Sequence, residues 1–62
     1  MYEFIATYEN MDTGKERTAD IELYGHGFFK TEKEIYVHAM QLAYDQKRKD
    51  ECFSKLEFVC AA

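Results

Sequence analysis

Two cysteines and two histidines are the residues in this chain best equipped for chemistry, and their spacing argues against it. Cys52 and Cys60 are 8 positions apart, and His26 and His38 are 12 apart. A structural zinc site is built from short pairs, Cys-x-x-Cys or His-x-x-x-His, and neither pair is present. No metal or cofactor is therefore expected. Nucleophilic catalysis needs a thiol or hydroxyl beside a histidine that a third group orients. Cys52 follows Asp50 and Glu51, an acidic neighbourhood that disfavours the thiolate. Cys60 falls on a predicted core face, where a thiol behaves as a small hydrophobe. His26 sits between two glycines, as a hinge or contact residue, and His38 falls on the polar face of a predicted helix. There is no glycine-rich phosphate loop. No enzyme is expected.

The carboxylates are more informative. Three segments alternate as strands do, with successive side chains on opposite faces. Residues 2–8 place Tyr2, Phe4, Ala6 and Tyr8 on one side, against Glu3, Ile5, Thr7 and then Glu9. Residues 18–24 place Ala19, Ile21 and Leu23 against Thr18, Asp20, Glu22 and Tyr24. Residues 55–60 place Leu56, Phe58 and Cys60 against Lys55, Glu57 and Val59. The sheet should then have an apolar face for a core and an open face carrying Glu3, Glu9, Asp20, Glu22 and Glu57, with Lys55 opposing. Ile5, Tyr24 and Val59 lie among these acids. An apolar spot ringed by charge is the pattern expected of a protein contact.

The elements that position these residues are legible. Residues 9–15 join the first two strands as a hairpin. Asp12 is expected to start the turn through its side chain and Gly14 to take positive φ. Gly25, His26 and Gly27 break the second strand. Thr31 and Glu34 have the spacing of a capping box. Glu32 and Glu34 suit the positive end of a helix dipole, and Lys47, Arg48 and Lys49 suit the negative end. The expected helix covers 32–48. A β-β-α-β order then predicts one α+β domain over residues 1–62, a three-stranded antiparallel sheet of order 2-1-3 with the helix packed on one face. The predicted core is Phe4, Ala6, Ile21, Leu23, Ile35, Ala39, Leu42, Leu56 and Phe58. Val37 and Tyr44 extend the helix's apolar arc beyond what covering a sheet requires, which marks a flank for a homodimer or a partner.

Composition narrows the partners. Twelve acidic residues against eight basic ones leave a net charge of -4, which repels phosphate backbones unless basic residues cluster. The one basic triplet, 47–49, is matched to a helix end. The aromatics of the first strand share the core face, so no open-face platform for stacking bases is expected and nucleic-acid binding ranks below protein binding. No apolar run approaches the roughly 20 residues of a membrane span. Met1 is not followed by a basic region and an apolar stretch, so a cytoplasmic protein with reduced thiols is expected.

In size, acidity and lack of catalytic motifs, the chain resembles the small proteins that phages and other mobile elements encode to block host nucleases, such as anti-CRISPRs and restriction inhibitors. The resemblance is one of class and transfers no residue. It implies a non-enzymatic protein-binding module that inhibits a nucleic-acid enzyme, with an acidic sheet competing for a basic groove. A self-assembling accessory protein, dimeric through the helix flank, is the alternative, and a nucleic-acid binder the second alternative.

Overall fold

A computed structural model describes residues 1–25 and 30–61. His26 and Gly27, expected in the break after the second strand, lie outside the described residues. The chain forms β1 (Tyr2–Asn10), β2 (Glu16–Leu23), α1 (Glu32–Asp45) and β3 (Glu51–Ala61). The sheet has order β2-β1-β3 and both pairings are antiparallel. This is the α+β arrangement that the alternation predicts.

β1 is central, so its alternation is decisive. Phe4, Ala6 and Tyr8 are buried and join Ile21, Ala39, Ala43 and Leu56 in one cluster under α1. Leu23 is also buried. Ile35 and Leu42 are only half-buried at its margin. Phe58 departs from expectation: it faces the core side opposite Phe4, yet it is 56% exposed. α1 leaves the outer strand β3 partly uncovered, so correct parity does not produce burial at that position.

The β1–β2 hairpin turns on a different residue from the one expected. Asn10, not Asp12, supplies the side chain: its Oδ1 accepts from the amides of Asp12 and Thr13, each at 2.9 Å. The Asn10 amide group also donates to Asp50 Oδ2 at 2.8 Å, tying the hairpin to the segment before β3. Asn10 is the last residue of β1 and can do both jobs, whereas Asp12 lies out in the loop. Gly14 does take positive φ, at 74°.

α1 starts as predicted and stops early. Thr31 Oγ1 accepts from the Glu34 amide at 3.2 Å. The Glu34 carboxylate reaches one residue further back than a capping box requires and accepts from the Lys30 amide at 3.1 Å. The helix ends at Asp45 with Gln46 as its cap, so Lys47, Arg48 and Lys49 lie beyond it and its last turn has no basic residue. Tertiary bonds take over there. Arg17 Nη2 donates to the Gln46 carbonyl at 3.0 Å, and the Arg48 amide donates to Glu51 Oε1 at 2.9 Å.

β3 is longer than residues 55–60 and is interrupted twice. Its register against β1 slips between Glu3 and Phe4 and again between Thr7 and Tyr8. Val59 and Ser54 are the extra residues at these two slips, as in β-bulges. Each slip resets the alternation. Cys60 is therefore not on the core side: it stands opposite Glu3 on the open face. Glu51 and Phe53, which lie outside the expected strand, join the core side at its other end.

Candidate functional site: the open acidic face

The pairings place the predicted acids in rows. On β1 and β2, Glu3 stands opposite Glu22, Ile5 opposite Asp20, Thr7 opposite Thr18 and Glu9 opposite Glu16. On β3, Cys60, Glu57, Lys55 and Cys52 stand opposite Glu3, Ile5, Thr7 and Glu9. Adjacent strands lie about 4.8 Å apart, so each row is a line of neighbouring side chains. Glu16 belongs to this set and the sequence reading missed it. Carrying the alternation of β2 two residues upstream from Thr18 would have found it.

Six carboxylates thus share the face: Glu3, Glu9, Glu16, Asp20, Glu22 and Glu57. Lys55 is the basic residue among them, and its Nζ lies 3.1 Å from Glu57 Oε1. Both side chains of that pair are well exposed, where such contacts contribute little. Two rows set one glutamate directly against another, Glu3 against Glu22 and Glu9 against Glu16. Like charges directly opposite on adjacent strands are destabilising.

Ile5 is half-buried between Asp20 and Glu57 and forms the apolar centre of the face. Tyr24 lies just past β2 and is exposed; its hydroxyl donates to Glu22 Oε2 at 2.6 Å, and that bond raises its pKa. Val59 is exposed but occupies the extra position of a bulge, so Cys60 rather than Val59 neighbours Glu3. The Cys60 thiol donates to Glu3 Oε2 at 3.4 Å, which holds its pKa above the usual thiol value. A thiol kept protonated is a poor nucleophile. Cys52 sits near the other end of β3, beside Glu9.

The flank residues Val37 and Tyr44 are 46% and 53% exposed. Tyr44 also stacks on Phe53 of β3, with ring centroids 5.0 Å apart. His38 is exposed on α1. Among the described residues no three His, Cys, Asp or Glu side chains are grouped to hold a metal ion. No helix among them is long and apolar enough to cross a membrane.

The core side carries a polar group of its own. Glu51 is buried, and Arg17 grips both of its carboxylate oxygens, Nε to Oε2 at 2.6 Å and Nη2 to Oε1 at 2.8 Å. The Arg17 guanidinium lies over the Tyr8 ring, 4.4 Å from its centroid. The Tyr8 hydroxyl, whose pKa is raised by burial, donates to the Ala43 carbonyl near the end of α1. This cluster joins β1, β2, β3 and α1. Nothing in the alternation of residues 2–8 or 18–24 points to it.

No protein-family model, curated protein or solved structure matches this chain.

Proposed function

We propose that this chain is a non-enzymatic protein-binding module whose acidic sheet face docks on a basic protein surface. The groove of a cytoplasmic nucleic-acid enzyme is the surface it fits best, as for the inhibitors that phages and mobile elements encode. The observation that carries this reading is the pair of glutamate–glutamate rows, Glu3 with Glu22 and Glu9 with Glu16. Solubility asks for charge of either sign on an open face. It does not ask for like charges directly opposite one another, an arrangement that costs stability. A basic partner relieves that repulsion on binding. Ile5 supplies an apolar point at the centre of the charged field.

The test is kinetic. A partner captured from an extract of the source organism is measured against wild type and a variant with Glu3, Asp20, Glu22 and Glu57 replaced by their amides, across a salt series. Exposed charges are screened over about 8–10 Å at physiological ionic strength and act mainly on association rate. The variant should bind with a slower on-rate and a flatter salt dependence. Equal on-rates at low salt would reject the acidic face as the binding surface.

A second reading rests on Val37 and Tyr44, half-exposed apolar residues on the flank of α1. They offer a surface for a homodimer that would leave both acidic faces outward. Sedimentation at micromolar concentration separates the two: a clean 7.4 kDa species removes the dimer.

A further inference from the structure

On the helix side of the sheet, at the Tyr2 end of β1, lies a groove of about 390 Å³ lined by Tyr2, Phe4, Glu32, Ile35, Tyr36 and Phe58. Phe4 is buried and meets two rings edge-on: Tyr36 at 5.9 Å and 81°, and Phe58 at 5.5 Å and 72°. Tyr36 is held in place by its hydroxyl, which donates to the Leu56 carbonyl at 2.9 Å. Phe58, more than half exposed, presents ring surface to the groove. Glu32 contributes a carboxylate that makes no hydrogen bond or ion pair among the described residues.

Aromatic rings beside a carboxylate are suited to a cation on a long apolar stem. The chain itself holds such a cation at the other end of the same sheet side. There, Arg17 lies over the Tyr8 ring and is gripped by Glu51. The two ends thus carry the same chemistry. One contains the protein's own guanidinium, and the other is an open groove among the described residues.

We propose that this groove receives an arginine side chain of the basic partner, with its guanidinium on the aromatic rings and paired with Glu32. Arginine fits better than lysine because a planar, weakly hydrated guanidinium stacks on rings and pairs with a carboxylate at once. The proposal rests on the reading of a basic protein partner. It adds a second, sterically specific contact to the charge of the open face. Tyr2 and Phe4 flank Glu3 along β1, so a partner segment passing over this end of the sheet meets the groove on one side and Glu3 and Glu22 on the other.

The probe is an acetylated, amidated pentapeptide, Gly-Gly-Arg-Gly-Gly, titrated into 15N-labelled protein, with lysine and citrulline peptides for comparison. Saturable shifts are expected at Glu32, Ile35, Tyr36 and Phe58. Citrulline keeps the shape without the charge and should bind about two- to fivefold more weakly, the scale of an exposed cation–π contact. Glu32→Gln and Phe58→Ala should each weaken the arginine peptide to a similar degree, while Asp12→Asn, in the exposed hairpin loop, should not. Both groove positions are exposed, and unchanged spectra elsewhere will show that the variants fold. Equal binding of the citrulline peptide, or shifts confined to Glu3, Asp20, Glu22 and Glu57, would overturn the groove assignment. The latter pattern would leave the acidic-face reading standing, and the on-rate series decides that reading separately.

Discussion

Arg17 and Glu51 are 34 positions apart in sequence and meet through two hydrogen bonds at 2.6 and 2.8 Å. The pair closes one end of the sheet by joining β2 to the first residue of β3, next to the last turn of α1. Arg17 and the Arg48 amide together satisfy Glu51, so its burial leaves no oxygen without a partner. The bond from Arg17 is the main cause that lowers the Glu51 pKa from 4.5 to about 2.

That shift predicts acid sensitivity with a definite sign. The folded pKa lies below the unfolded one, so the stabilisation is fully present above about pH 4.5 and is lost as pH falls towards 2. Urea midpoints of wild type should fall through this window. Glu51→Gln should be less stable at neutral pH and show a flatter profile between these limits. Parallel profiles for the two proteins would show that other carboxylates govern acid unfolding.

Tyr8→Phe keeps the ring under Arg17 and removes only the hydroxyl that donates to Ala43. The loss should be about 1 kcal/mol, with the Ala43 carbonyl left short of a partner. Equilibrium denaturation of the variant measures it, and an unchanged midpoint would show that water replaces the bond at no cost.

Phe4 and Phe58 face each other across β1 and β3 but should respond differently to truncation. Phe4 is buried, and Phe4→Ala should cost about 3–5 kcal/mol, enough to unfold most of so small a domain. Phe58 keeps more than half its surface in water, so Phe58→Ala should cost about 1 kcal/mol. Thermal melts of the two variants rank them, and equal losses would contradict the exposure of Phe58.

The cap at Thr31 supports α1 through one bond to the Glu34 amide. Thr31→Ala should lower stability by about 1 kcal/mol. Far-ultraviolet dichroism with a denaturation curve tests this. No measurable loss would mean that another group satisfies the first turn.

The acidic rows predict that stability and binding pull apart. Glu16→Lys places a cation opposite Glu9 and should stabilise the fold by about 0.2–1 kcal/mol, while slowing association with a basic partner. A variant that is more stable yet equally fast to bind would show that the row costs stability without serving association.

Much of this was legible in the residues. Strand alternation is a local property of the backbone, so residues 2–8 identified the buried side of β1, and pairing with β1 carried that assignment to β2. Thr31 with Glu34 marked where α1 begins, because a cap acts within one turn. The hairpin glycine was equally local. The rows of acids followed from the same period of two, apart from Glu16, which lies upstream of the segment chosen. What the residues did not disclose depends on distant partners. Lys47, Arg48 and Lys49 look like the end of a helix, yet the helix stops before them because Arg17 and Glu51 claim the groups that follow Asp45. The two bulges in β3 move Cys60 to the open face and bring Glu51 to the core side. No periodicity announces a bulge, since it arises where one strand must fit another that is already paired. Phe58 has the right parity and still meets water, because its burial depends on where α1 lies across the sheet. Local sequence rules decided the elements and their faces. Contacts between residues remote in the chain decided where α1 ends, the register of β3 and which aromatic rings are left to line a groove.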